Sequence, residues 1–177
     1  MRLFVALDLP WALREQLHAL AGGIPGARWV PAENYHLTLR FIGETPSHRA
    51  EEIDTALSAL RGRGFELTVT GLGLFEKAGR VTAIWAGVER NPQLDHLQTK
   101  IENALQRAGV EPQRRRFNPH VTLARLDSVL TPRMADFMQA RNLFRAEPVA
   151  VRHFTLFSSQ LGKEASVYTP EVEYALS

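Results

Sequence analysis

The stretch Asn34-Tyr35-His36-Leu37-Thr38-Leu39 returns 84 positions later as Asn118-Pro119-His120-Val121-Thr122-Leu123, and this return decides the fold. In an extended strand, residues two apart face the same way. His36 and Thr38 therefore share one face, with Leu37, Leu39 and Phe41 on the other; His120 and Thr122 likewise oppose Val121 and Leu123. A strand whose apolar face is core must turn its polar face to water or into a cleft. The same offset carries Phe65 to Val149 and Val81 to Ala165, each the start of a further β-rich run. Two imidazoles and two hydroxyls are thus expected to converge across an approximate two-fold axis.

Working outward, apolar periodicity predicts strands over residues 3–7, 35–42, 65–75, 81–88, 120–126, 149–157 and 166–175, and helices over 10–21, 46–60, 92–108 and 132–139. The 65–75 and 81–88 runs are close enough to form a hairpin. Each helix is expected to open with its proline, whose missing N–H has no partner in a first turn anyway. Thr45, Asn91 and Thr131 stand one place earlier, where a side-chain oxygen can cap. The order is β-α-β-α-β twice, with one strand left to complete a hairpin, and no linker rich in Gly, Ser or Pro divides the halves. The expected fold class is α+β: residues 1–177 as a single domain of two similar lobes from a duplicated β-α-β-α-β unit, mainly antiparallel sheets lining a central cleft, helices outside.

Composition narrows the function. The 177 residues are 45% apolar and 23% charged, an ordinary globular balance. Without cysteine, disulfides, thiolate catalysis and Cys-ligated zinc are excluded. No apolar run approaches the roughly 20 residues that span a bilayer, and an acid at Asp8 comes too early for a signal peptide. A cytoplasmic protein with no membrane partner is expected. Net charge is only +2, but 18 of the 21 bases are arginine, whose planar fork suits phosphate and which a GC-rich genome also favours.

Gly71-Leu72-Gly73 lacks the third glycine of a dinucleotide loop and lies in a strand pattern. His153-Phe154-Thr155 is a third His-x-Thr; its offset partner in the first half is Val69, so His153 is read as an ordinary strand residue. His18, His48 and His96 fall on helices and are read as surface residues. Strand alternation places Arg40 on the histidine face and Arg125 off it, unless the strand ends or bulges there. Arg114-Arg115-Arg116 reads equally as a guide for an RNA backbone or as a solvated loop. Of Phe4, Phe41, Phe117 and Tyr168, one or two, Tyr168 among them, are expected to be free to stack on a base.

Arg2-Leu3-Phe4-Val5-Ala6, His36-Leu37-Thr38-Leu39-Arg40-Phe41-Ile42-Gly43-Glu44, Phe117-Asn118-Pro119-His120-Val121-Thr122-Leu123-Ala124-Arg125 and Tyr168-Thr169-Pro170 together resemble the two-histidine phosphoesterases, specifically the RNA 2′,3′-cyclic phosphodiesterases also called 2′-5′ RNA ligases. The resemblance implies a duplicated two-lobed α+β fold. It also implies His36 as proton donor, His120 as proton acceptor, and Thr38, Thr122 and Arg125 as phosphate-binding residues. The implied partner is RNA ending in a 2′,3′-cyclic phosphate, tRNA fragments included. The chemistry needs no metal and no cofactor. An internally duplicated chain has less need of a partner copy, so a monomer is expected. Other readings stay open: a phosphodiesterase acting on a small cyclic nucleotide such as ADP-ribose 1″,2″-cyclic phosphate, a metal site using the two histidines, or a non-catalytic RNA-binding module.

Overall fold

The computed structural model describes residues 1–177. The chain runs β1 (Arg2–Asp8), α1 (Trp11–His18), β2 (Arg28–Trp29), a 3-10 turn (Ala32–Asn34), β3 (His36–Glu44), α2 (Ser47–Ser58), β4 (Phe65–Leu67), β5 (Val69–Lys77), β6 (Arg80–Val88), α3 (Pro92–Arg107), β7 (His120–Ser128), α4 (Pro132–Arg141), β8 (Val149–Val151), β9 (His153–Leu161) and β10 (Ser166–Ala175). One sheet has the order β10-β9-β1-β3 and a second β2-β7-β6-β5, while β4 pairs with β8 alone. Every strand pairing is antiparallel. The α+β class expected from the sequence is the observed one.

The lobes are not the two halves of the repeat. β1 is flanked by β3 from its own half and by β9 from the other; β6 is flanked by β7 and by β5. Each half therefore gives two strands to the sheet of the other, β2 and β5 one way and β9 and β10 the other. The break that permits this is itself repeated: the runs predicted as single strands split at Thr68 and, 84 positions on, at Arg152. The short first pieces pair with each other, Glu66 opposite Ala150, its own repeat equivalent. An antiparallel pairing centred on equivalent residues is what a two-fold axis requires.

Helix starts follow two rules. At α3 and α4 the proline occupies the first helical position; Asn91 Oδ1 accepts from the amides of Gln93 and Leu94, each at 3.1 Å, and Thr131 Oγ1 accepts from Met134 N at 3.2 Å. At α1 and α2 the helix begins one residue later than expected, with Pro10 and Pro46 in the capping position. Thr45 is then too far back to cap, and its hydroxyl donates instead to the Gly43 carbonyl at 2.9 Å.

Leu37, Leu39, Val121 and Leu123 turn away from the histidines into the main core. There they meet Leu3, Val5 and Leu7 of β1 and the buried stripes of α1 (Leu13, Leu17), α2 (Ile53, Leu57) and α3 (Leu94, Leu97, Ile101, Leu105). Ala104 completes the α3 stripe; Ala108, expected on it, lies just past the helix. α4 sends Met134 and Phe137 into a smaller cluster with Ile84, Ala124 and Leu126. The helices thus pack on the sheet faces opposite the histidines.

The two glycines set aside as a nucleotide loop have structural roles in β5, one of packing and one of backbone conformation. Gly73 is the register partner of Trp85, and a Cβ at Gly73 would overlap the indole. Gly71 adopts φ +70°, where only glycine is unstrained. Gly73→Ala should destabilise the protein by about 1–3 kcal/mol in urea unfolding, and adding Trp85→Leu should restore most of that loss.

Candidate active site

β3 and β7 begin with their histidines, and each ring is fixed the same way. His36 Nδ1 lies 2.7 Å from the Asn34 carbonyl oxygen, and His120 Nδ1 lies 2.7 Å from that of Asn118. A carbonyl oxygen only accepts, so each Nδ1 carries the proton and each Nε2 is the nitrogen left for chemistry. The tether is two residues long in both repeats, which is why the motif begins at the asparagine.

A cavity of about 530 Å³ draws on both sheets and takes in His36, Thr38, His120, Thr122, Arg125 and Tyr168, every site residue expected from the sequence. Arg2 and Arg115 also face it, and no carboxylate does. An acid-free cavity with three guanidiniums and five hydroxyl-bearing residues is built for an anion.

Arg125 reaches the cavity through a β-bulge. The register of β7 with β6 passes from Thr122 opposite Trp85 to Ala124 opposite Ile84, skipping Leu123; that of β3 with β1 passes from Thr38 opposite Ala6 to Arg40 opposite Val5, skipping Leu39. The bulge recurs 84 positions on and reverses the alternation beyond it. Arg125 and its equivalent Phe41 turn into the cavity. Arg40, expected on the histidine face, is instead 6% exposed on the opposite side. Its Nε lies 2.9 Å from Glu102 Oε2.

The aromatics divide by burial. Phe4 is buried against Phe157 with ring centroids 5.2 Å apart. Phe117 packs on the main core. Phe41 is 61% exposed at the cavity, and Tyr168 stands edge-on to His36 at 5.1 Å. Phe75, which the sequence did not single out, stands edge-on to His120 at 4.8 Å. Its repeat equivalent, Ser159, also lines the cavity, so applying the offset to β5 and β9 would have found both.

His153 lies outside this cavity, its Nε2 3.5 Å from Asp8 Oδ2 and 3.8 Å from Glu173 Oε1. His18, His48 and His96 are exposed. No helix is long and apolar enough to cross a membrane.

Burial lowers the pKa of both site histidines, that of His36 from the ordinary 6.5 to about 4. The tethering carbonyls raise both, and Arg125 lowers both. Two charges are asymmetric. Asp8, the register partner of His36, raises its pKa, whereas Gly87 stands in that place beside His120. Arg14, 3.8 Å from Asp8, works against it.

Tethered imidazoles across an acid-free, arginine-rimmed cavity define a phosphate-ester site. The comparisons agree: the chain belongs to the LigT-like phosphoesterase family, whose model matches residues 7–85 and 87–168. It is 32% identical over 181 residues to the RNA 2′,3′-cyclic phosphodiesterase of Escherichia coli K12, covering 99% of this chain and 97% of that one. It is 29% identical over 171 residues to the enzyme of that name from Archaeoglobus fulgidus, covering 95% and 96%. The crystal structure of E. coli LigT complexed with 3′-AMP superposes with a TM-score of 0.83 at 31% identity, over 99% of this chain and 98% of that one.

Because the folded pKa of His36 lies below its unfolded value near 6.5, the unfolded chain binds the extra proton between those values. Stability should therefore fall as pH drops from about 6.5 to about 4, with no contribution from His36 above that window. NMR titration of the imidazole should place His36 near pH 4 in the protein alone, and inorganic phosphate should move it upward.

Proposed function

We propose that this protein hydrolyses 2′,3′-cyclic phosphate ends of RNA to 2′-phosphomonoesters with its two histidines as acid and base. The observation that carries this reading is the pair of carbonyl-tethered imidazoles on one cavity that no carboxylate lines. The names of the relatives support the substrate class.

In this scheme His120 Nε2 takes a proton from water as its oxygen attacks phosphorus. The bond from phosphorus to the 3′ oxygen breaks, and His36 Nε2 gives that oxygen its proton. Thr38, Thr122 and Arg125 hold the non-bridging oxygens as their charge grows. Proton exchange with solvent then resets both rings. Acid, base and anion-binding groups all come from side chains, so the scheme calls on no metal. By microscopic reversibility, a 5′ hydroxyl in place of water joins two RNA ends through a 2′-5′ linkage without ATP.

His36 must carry a proton that burial disfavors. Two charges help it: the Asp8 carboxylate opposite it in the sheet, and the phosphate anion that arrives with the substrate. In the protein alone both rings lie below 6.5, so kcat/KM, which reports the free protein, should peak on the acid side of that value.

A 2′,3′-cyclic nucleotide assay in EDTA across pH 5–9 tests the proposal. Hydrolysis should persist under chelation, and His36→Ala or His120→Ala should each lower kcat by about 10²–10⁴-fold. A diester whose leaving group departs without a proton separates the roles: it should restore turnover to His36→Ala and not to His120→Ala. Chelation-sensitive hydrolysis, or full activity in either alanine variant, contradicts the proposal.

A further inference from the structure

Arg40 is the arginine the bulge removes from the cavity, and each nitrogen of its buried guanidinium has a hydrogen-bond acceptor. Its Nε donates to both oxygens of Glu102 on α3, at 2.9 and 3.2 Å. Its Nη1 donates to the Phe41 carbonyl at 2.6 Å, and its Nη2 donates to the carbonyl of Glu111. Glu102 Oε1 in turn accepts from the amide of Gln113 at 2.8 Å. One buried ion pair therefore ties β3 and α3 to the first residues of the segment between α3 and β7. Two residues beyond Gln113, that segment presents exposed Arg115 to the cavity, and near its end it carries Asn118, whose carbonyl tethers His120.

The device occurs once. The repeat equivalent of Arg40 is Ala124, so the two-fold architecture alone does not require it. A buried ion pair also adds little stability over apolar residues of the same size, and its best-attested use is to fix a geometry. What this pair fixes is the stretch that carries Arg114-Arg115-Arg116, of which Arg115 lines the cavity. A mononucleotide brings one phosphate, for which Thr38, Thr122 and Arg125 suffice. Arg115 is a further cation that such a substrate leaves without an anion.

We propose that Arg40 and Glu102 are positioning residues that hold the 111–117 segment so that Arg115 meets a backbone phosphate of a polynucleotide beyond the cyclic end, which makes this segment a determinant of preference for RNA over mononucleotides. The proposal rests on the cyclic phosphodiesterase reading and adds to it the length of the substrate.

The test compares kcat/KM for an oligoribonucleotide ending in a 2′,3′-cyclic phosphate with that for a 2′,3′-cyclic mononucleotide. The unaltered protein should favour the oligonucleotide. Arg115→Ala should lower the ratio about tenfold, mainly through KM of the oligonucleotide, and flatten the salt dependence of log(kcat/KM) for it by about 0.7, the slope of one lost single-strand phosphate contact. Glu102→Gln should lower the same ratio, and in the Arg115→Ala background it should lower it no further.

Equal losses on both substrates, or multiplicative losses in the double variant, assign the ion pair a merely structural part and overturn the proposal. Should Glu102→Gln not fold, an unchanged ratio in Arg115→Ala, whose side chain is exposed, overturns it alone. If the unaltered protein turns over neither substrate, the phosphodiesterase reading falls and this proposal with it; turnover of both with an unchanged ratio in the variants removes only the proposal.

Discussion

The structure depends on the clamping of β1 and β6, each held between the histidine strand of its own half and a strand given by the other half. β1 shows what the exchange supplies. Leu3, Phe4, Val5, Ala6 and Leu7 are all nearly inaccessible, so both faces of the strand and both of its edges need partners. One edge is met by β3 of the same half and the other by β9 of the opposite half. The exchange couples the halves into one body and brings β3 and β7, which the chain separates by 84 residues, to one cavity. Separating the halves would expose two open sheet edges with unpaired amides and carbonyls, a costly state in water and an aggregation-prone one.

Within that frame the chemistry is set by three local facts. A carbonyl two residues upstream fixes each ring and its tautomer. Burial favours the neutral form of both imidazoles at rest, which leaves the cavity's positive charge to its arginines, while the negative charge of an incoming phosphate would favour protonation of a ring. The aromatic surroundings differ: Phe4, Phe157 and Tyr168 enclose His36, while Phe75 and Trp85 stand beside His120. The two-fold frame thus supplies matched groups, and its departures from symmetry, chiefly Asp8 against Gly87, supply the difference that the proposed acid and base roles demand.

Much of this was legible in the chain because a duplication writes the same physics twice. The offset of 84 located both histidines and both threonines, and the helix stripes follow from apolar spacing. What stayed illegible is what pairing partners decide. Residues 65–69 alternate without a break, and nothing in that pattern shows that Thr68 ends one strand and that the next belongs to the opposite sheet. The bulges at Leu39 and Leu123 have no glycine or proline to mark them, so plain alternation exchanges the places of Arg40 and Arg125. The family resemblance placed Arg125 where geometry from sequence could not. Arg40 needed coordinates, because its partners Glu102 and Glu111 lie far along the chain.

The most direct measurement is a crystal structure with a uridine–vanadate complex, whose five-coordinate metal centre imitates phosphorus midway through in-line displacement. The account requires the vanadium to lie in the cavity with the Nε2 atoms of His36 and His120 on its two opposite apical oxygens, and Thr38, Thr122 and Arg125 on the equatorial ones. A complex in which only one of the two rings touches the vanadate, or in which it binds outside this cavity, would contradict it.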